Sequence, residues 1–309
     1  MRVIVVGYGI QGRKRARVAG GDLVATVDPV NKEAQLRSID DLPADSWDAA
    51  LLCIPDAPKV ALIERLLGQG KHVLVEKPLF AKRADLDRLG LLARAKGVVC
   101  YTAYNHRFEP HFVRLKQAID AGKLGKVYAA RFFYGNGTAR DVRNSEWRDK
   151  GGGVVPDLAS HLFDTALYLF DCRDASAELW SAQRFENRAF DYATFGASSV
   201  RPTLEMTVSL LSWRNHFTAD VYGEEGSAHI SSLCKWGPST FTRYNRKLPS
   251  GRPDIEDSVT VEQPDPTWEA EYAHFKALCA AGGPSNTDND IWIQSRLDEL
   301  SAGFARFPA

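Results

Sequence analysis

Three groups of residues in this chain have the types and spacing that chemistry needs. The first is Glu76-Lys77-Pro78, which follows the apolar run His72-Val73-Leu74-Val75. Pro78 fixes its own φ and restricts the residue before it, so Lys77 is expected to stand extended beyond the end of a buried strand. Burial and a nearby positive charge would lower its pKa and make it a usable proton donor or acceptor. The second group is Asp157 and His161, with Pro156 suited to a first helical position. Four-residue spacing sets the carboxylate and the imidazole on one face of a helix, while Leu158, Leu162, Ala166 and Leu169 form its packed side. Histidine titrates near neutrality, so His161 is the candidate for exchanging a substrate proton, with Lys77 orienting and polarising the same oxygen. Asp157 binds a neighbouring hydroxyl or orients the imidazole. The plainer alternatives are a lysine salt-bridged to Glu76 and a structural Asp/His pair.

The third group is the loop Gly7-Tyr8-Gly9-Ile10-Gln11-Gly12, with Asp28 placed 21 positions after Gly7. A GxGxxG loop alone is weak evidence, but one that follows a strand, opens a helix and precedes an acidic residue at this distance points to dinucleotide binding. Gly7 permits the tight turn, Gly9 lets backbone N–H groups approach a pyrophosphate, and Gly12 allows helix and strand to pack closely. The helix N-terminus that begins at Ile10 and Gln11 adds a partial positive charge. Asp28 accepts hydrogen bonds from ribose hydroxyls and repels a 2′-phosphate, so NAD(H) is favoured. NADP(H) stays open as the alternative, because Arg13, Lys14 and Lys32 are near enough in sequence to offset a phosphate.

These groups need elements to hold them. Short β-branched runs alternate with helical stretches: Arg2 to Val6, a basic helical segment from Arg13 to Val18, Leu23 to Val27, Ala49 to Ile54, His72 to Val75, a helix from Arg83 to Lys96, and Val98 to Tyr104. Helical spacing of Val60, Leu62, Ile63, Leu66 and Leu67 fills the third gap. Strands separated by helices predict a doubly wound parallel sheet, the Rossmann arrangement. Between Asp28 and Ala49 lie Pro29 and Pro43 and little helical periodicity, so that crossover is expected to be abbreviated. From about residue 175 the pattern changes to strict alternation, as in Leu204, Met206, Val208 and Leu210, and predicts an antiparallel sheet. Helices are expected over Thr267 to Ala281 and Asp288 to Phe307, packing back on the assembly.

Composition bounds the function. A chain of 309 residues with 44% hydrophobic residues suits two ordinary globular domains. Lys+Arg equals Asp+Glu at 39 each, which removes a nucleic-acid footprint. No apolar run reaches the roughly 18 residues that span a bilayer, and Met1 runs directly into a core strand, so the expectation is a cytoplasmic protein with no membrane partner. Five cysteines without a CxxC pair fit reduced thiols, and no metal-ligand spacing appears.

Gly7–Gly12, Glu76-Lys77-Pro78, Asn105-His106-Arg107-Phe108, and Gly151-Gly152-Gly153 with Asp157 and His161 occur in the order that resembles the glucose-fructose oxidoreductase and inositol dehydrogenase family, Gfo/Idh/MocA. The resemblance implies a Rossmann domain over residues 1–105. A C-terminal α/β domain with a large, mostly antiparallel open sheet follows over residues 106–309. It implies a substrate site on one face of that sheet and an oligomer interface on the other, giving a homodimer or homotetramer. It implies that Lys77 contacts the reacting hydroxyl, that Pro55 and Glu76 line the cofactor pocket, and that Asn105 approaches nicotinamide or substrate. It implies that Arg107 reaches the substrate and that the Trp147-Arg148 loop reaches the substrate or the cofactor; His106 reads as a domain-hinge residue. The basic residues between Lys123 and Lys150 (seven, against three acidic) suit an anionic sugar-like substrate or a solvated face.

The resulting expectation is an NAD(H)-dependent oxidoreductase acting on a CH–OH group of a sugar, cyclitol or sugar nucleotide. Reduction of another cyclic carbonyl, and a nucleotide-responsive binding protein without turnover, are the alternatives.

Overall fold

The computed structural model describes residues 1–145 and 148–307. The chain forms two compact units, one from Met1–Asn105 with Thr267–Gln294 and one from His106–Pro266 with Ser295–Ala309.

In the first unit, β1 (Val3–Val6), α1 (Ile10–Ala19), β2 (Leu23–Val27), β3 (Ala49–Leu52), α2 (Asp56–Gly68), β4 (His72–Glu76), α3 (Arg83–Lys96) and β5 (Cys100–Ala103) follow in order. The strands form one parallel sheet in the order β2-β1-β3-β4-β5. Its central strands are buried on both faces, which is why they read as continuous apolar runs rather than alternating ones. Period-two geometry divides β1 between two cores: Ile4 and Val6 pack with Ile63, Leu66 and Leu86 from α2 and α3, while Val3 and Val5 pack with Ala16 and Ala19 from α1. The strand order reverses direction between β1 and β3, and ligands of open α/β sheets bind at such a point, outside the strands' carboxyl ends. Both the glycine loop after β1 and Lys77 after β4 lie at that edge.

The crossover from Asp28 to Asp48 carries only a 3₁₀ turn, Ile39–Asp41, capped by Ser38, and a bridge from Val27 to Leu36. It is abbreviated, as its prolines predict. Asp28 explains part of this, because its side chain accepts from the N–H groups of Val30 and Asn31 and turns the chain at once.

The second unit contains α4 (Pro110–Asp120), β6 (Val127–Gly135), the short α5 (Ala139–Arg143), α6 (Ser160–Phe170), β7 (Glu178–Gln183), β8 (Tyr192–Ala197), β9 (Thr203–Ser209), β10 (His216–Gly223), β11 (Gly226–Ser231), β12 (Ser239–Asn245) and β13 (Asp254–Val261). Eight strands form a sheet in the order β13-β12-β11-β10-β6-β9-β8-β7, antiparallel except for the β6–β9 pair. One face is apolar and meets the helices: Phe217 lies 5.1 Å from Phe112 of α4, and Phe195 lies 5.3 Å from Phe163 of α6. The other face carries Arg131, Glu205, Asp220 and His229, none of them buried, so each strand alternates.

Two helices close the chain, α7 (Thr267–Ala281) and α8 (Thr287–Ala302), followed by a 3₁₀ turn at Phe304–Arg306. Tyr272 and Phe275 of α7 belong to the α1-side core of the first unit. Asp290 of α8 accepts from the Thr102 hydroxyl of β5 at 2.7 Å.

Candidate functional site

The glycine loop is shaped by its own backbone. Gly7 has φ +88°, and a Cβ there would stand 2.3 Å from the Cys53 carbonyl oxygen. A Cβ on Gly12 would stand 1.9 Å from the Gly7 carbonyl oxygen, so a side chain at either position breaks the turn. At Gly9, by contrast, a Cβ meets nothing within 4 Å among the described residues. Gly9 caps α1 without a side-chain hydrogen bond, and the first turn, with Ile10 and Gln11 exposed, holds no acidic residue. Orphan N–H groups and the helix dipole therefore face the loop, and these residues fit a dinucleotide's pyrophosphate.

Asp28 sits at the end of β2 with its carboxylate turned to the same loop. It accepts from Tyr8 N–H at 2.7 Å and from Val30 and Asn31 N–H at 2.8 Å. Burial would raise its pKa, but the three backbone donors outweigh that and hold it below the usual carboxylate range. A fixed negative charge here opposes a 2′-phosphate. Of the cations that might have offset one, Arg13 is paired with Glu33 at 2.6 Å and Lys14 lies over the Trp268 ring at 5.1 Å.

Around Lys77 the chain is pinned from two sides. Lys59 of α2, itself buried, donates to the carbonyls of Glu76 and Pro78, each at 2.9 Å. The Glu76 carboxylate accepts from Arg15 Nε at 2.7 Å, and Arg15 Nη2 donates to Glu271 of α7 at 2.6 Å. Arg15 and Glu271 are buried, and the Trp268 ring stacks 4.3 Å from the guanidinium. Burial disfavours the Arg15 cation, yet Glu76 and Glu271 outweigh it and hold the guanidinium more firmly charged than usual. Glu76 is thus engaged in a buried ionic bridge, and the Lys77–Pro78 bond is cis. Pro55 stands before α2 as its N-cap. The Asn105 amide donates to Thr267 Oγ1 at 2.7 Å.

The second unit gathers a different set. The glycines 151–153 lead into a π-helical turn, Val155–Ala159, and only then into α6. The sequence predicts one continuous α-helix through Asp157 and His161; instead Asp157 lies in the wider turn, whose carbonyl accepts from Ser160 Oγ at 2.9 Å. Single π turns are rare and concentrate at functional sites. His161 is 6% exposed, and its ring stacks on His106 with centroids 4.1 Å apart and planes at 18°. Lys235 Nζ approaches His106 Nε2 at 3.2 Å from the 3₁₀ turn Cys234–Trp236. Tyr134 of β6 meets the His161 ring edge-on at 5.7 Å. Burial first, and the Asp157 charge second, raise the Tyr134 phenol above its ordinary value, so it stays protonated. His106, read from sequence as a hinge residue, is packed against the imidazole. Neither Tyr134 nor Lys235 stands in any motif, since strand alternation and a short turn are their only sequence context.

Arg107, expected at the substrate, forms a forked pair with Asp164: Nε lies 2.9 Å from Oδ2 and Nη2 lies 2.5 Å from Oδ1. Burial raises the Asp164 pKa and Arg107 counters it. Arg148 is partly exposed, and Trp147 lies outside the described residues. In the basic stretch, Arg131 pairs with Glu205 at 2.9 Å and Arg143 with Glu186 at 2.6 Å, acids that lie beyond it in sequence. No cluster of metal-ligating side chains occurs among the described residues.

Residues 1–104 match the family model described as an oxidoreductase family with an NAD-binding Rossmann fold, and residues 112–229 match the GFO/IDH/MocA C-terminal domain. The chain belongs to the Gfo/Idh/MocA family. The sequence resemblance and the fold class are both borne out. The inositol 2-dehydrogenase of Rhizobium meliloti is 29% identical over 219 residues, 65% of this chain and 64% of that enzyme, a little under two thirds of its length. The scyllo-inositol 2-dehydrogenase (NAD(+)) of Bacillus subtilis is 26% identical, with 75% of this chain and 74% of that enzyme aligned. A levoglucosan dehydrogenase solved in complex with NADH superposes with a TM-score of 0.84 at 16% identity, over 99% of this chain and 97% of that one, which shows the shared fold. In this family member no helix among the described residues is long and apolar enough to cross a membrane.

Proposed function

We propose that this Gfo/Idh/MocA protein is an NAD(H)-dependent oxidoreductase acting on a CH–OH carbon, or the corresponding carbonyl, of a sugar, cyclitol or sugar nucleotide. The carrying observation is the glycine loop: two positions that exclude any side chain, one that leaves room, and an acid at the end of β2. Its relatives named as inositol dehydrogenases support the substrate class.

A bound nicotinamide dinucleotide supplies the hydride acceptor or donor. Residues Gly7 to Gly12 hold its pyrophosphate on the α1 N-terminus, and Asp28 takes its ribose hydroxyls. Pro55, Glu76 and Asn105 shape the rest of that pocket through backbone position, since the Glu76 and Asn105 side chains are engaged with Arg15 and Thr267. Lys77 orients and polarises the substrate oxygen, on a segment whose flanking carbonyls Lys59 fixes. His161 exchanges the proton. Asp157 binds an adjacent hydroxyl or orients the imidazole, and His106, itself approached by Lys235, holds the ring plane by stacking. Arg107 supports α6 through Asp164, while Arg148 remains the substrate-facing cation of its loop.

The test is a panel of inositols, sugars and sugar nucleotides offered with NAD⁺ or NADH and followed at the nicotinamide absorbance band. Turnover of at least one cyclic polyol or its ketone is expected. NADH binding without turnover anywhere in the panel would replace this reading with a nucleotide-responsive binding protein.

A further inference from the structure

The apolar face of the second unit's sheet presents phenylalanines to the helices that cover it. Phe132 of β6 meets Phe170 of α6, Phe195 of β8 meets Phe163 of α6, and Phe217 of β10 meets Phe112 of α4. Tyr134 breaks that pattern. It follows Phe132 two residues along β6, so its side chain points to the same face. Its neighbours in register are Phe217 of β10 and Val208 of β9, and neither side chain has a polar atom to offer a phenol. Phenylalanine would serve the packing equally well, so the extra oxygen calls for an account of its own.

Four rings restrict where that oxygen stands. The Tyr134 ring centroid lies 5.4 Å from His106, 5.7 Å from His161, 5.8 Å from Trp236 and 6.1 Å from Phe217. Among the described residues the Tyr134 hydroxyl has no hydrogen-bond partner. Nor is it sealed from water, since it is absent from the fully buried polar atoms that lack a partner, such as Asn187 Oδ1 and Ser239 Oγ. The 7% of the residue that stays exposed therefore includes the phenol oxygen. Burial, and the Asp157 charge after it, keep the phenol protonated, so it donates as well as accepts. An oriented donor left open beside the His161 ring is an arrangement that a ligand hydroxyl completes. Water is the plainer occupant, and a bound hydroxyl that reproduces its hydrogen bond displaces it without loss.

We propose that Tyr134 is a substrate-binding residue whose phenol hydrogen-bonds one hydroxyl of a cyclic polyol, on the same ring as the oxygen whose proton His161 exchanges. The inference rests on that reading of His161, and it narrows the substrate class to rings that keep a hydroxyl facing the phenol. A site that hydrogen-bonds a substrate hydroxyl rejects the analogue lacking it, because its own polar group is then left unpaired.

The test uses the full chain saturated with NADH, as wild type and as Tyr134→Phe, titrated calorimetrically with myo-inositol, D-glucose and the monodeoxy analogues of each. Removing one oxygen from an apolar face leaves the fold intact, which circular dichroism checks, and NADH affinity should not change. The tighter-binding parent polyol is expected to lose tenfold or more in affinity for the variant. At least one of its monodeoxy analogues should bind wild type as weakly as the parent binds the variant, and should bind both proteins within twofold. A smaller loss for the parent, a loss shared by every deoxy analogue, or no binding of either parent to wild type overturns the contact. Hydride transfer is followed separately at the nicotinamide band. Turnover that is equal in wild type and variant would remove the contact and keep the oxidoreductase. Tyr134-dependent binding without turnover would keep the contact and remove the reading of His161.

Discussion

At the scale of single residues, the decisive pair of neighbours is Lys235 and His106. An ammonium 3.2 Å from a ring that stacks 4.1 Å from His161 disfavours a second positive charge on that imidazole. Burial and the Asp157 charge keep the phenol of Tyr134 neutral, and the buried Glu109 stands near Lys235 with Asp265. Whatever that background sums to, removing the lysine charge favours the imidazolium. Lys235→Met is therefore expected to move the acid limb of the kcat/KM profile for alcohol oxidation to higher pH, with Lys235→Arg restoring it; an unmoved limb in the methionine variant would place Lys235 outside the proton's environment. Asp28 gives a second prediction. Wild type should bind NADH more tightly than NADPH, and Asp28→Asn should narrow the gap at least tenfold; tighter NADPH binding in wild type would contradict the cofactor preference. Much of this half of the site was legible in the sequence, because the spacing of Gly7, Gly9, Gly12 and Asp28 is dictated by local backbone sterics. Lys235 and Tyr134 were not legible, since their partners come from β6, α6 and the 3₁₀ turn after β5, and only the folded sheet assembles them.

At the scale of elements, α7 matters through one carboxylate. Glu271 reaches Arg15 of α1, which reaches Glu76 at the end of β4, so three elements of the first unit meet in one buried bridge. Removing one member of such a bridge costs more than the bridge contributes, because the remaining charges stay buried and unmatched. Arg15→Met is expected to lower unfolding free energy by about 3–5 kcal/mol in a urea titration. A change below about 1 kcal/mol, the value of an exposed pair, would show that water reaches the bridge. The sequence presents Arg15 as part of a basic helical run, and its partner Glu271 stands 256 residues away, so no periodicity reveals the contact. The π turn before α6 was equally hidden: Pro156 and the apolar spacing fit an ordinary helix start, and the extra width appears only in the backbone.

At the scale of the whole molecule, charge pairing sets the response to acid. Asp48, hydrogen-bonded to Arg2, has its pKa lowered to about 2, and Asp22, held by Lys276, is also lowered. Groups depressed in the folded state add stability above their unfolded pKa near 3.8 and lose it as pH falls toward about 2. Glu109 and Asp164 are raised, chiefly by burial, so their protonation on acidification opposes that loss. Denaturation midpoints are expected to fall between about pH 4 and about pH 2, where the depressed carboxylates protonate, and a rise there would mean that the two buried acids dominate. The alternation of strands and helices made the first unit's sheet legible from sequence; the order of the eight-stranded sheet was not, because β6 pairs with β9 and β10 rather than with β7. The central claim is hydride exchange with Lys77 gripping the substrate oxygen. Its most direct measurement is the rate of NAD⁺ reduction by the best polyol of the panel, in wild type and in Lys77→Ala. A fall of tenfold or more, about 1.4 kcal/mol in barrier, is predicted. A Lys77→Ala rate within twofold of wild type would contradict the account.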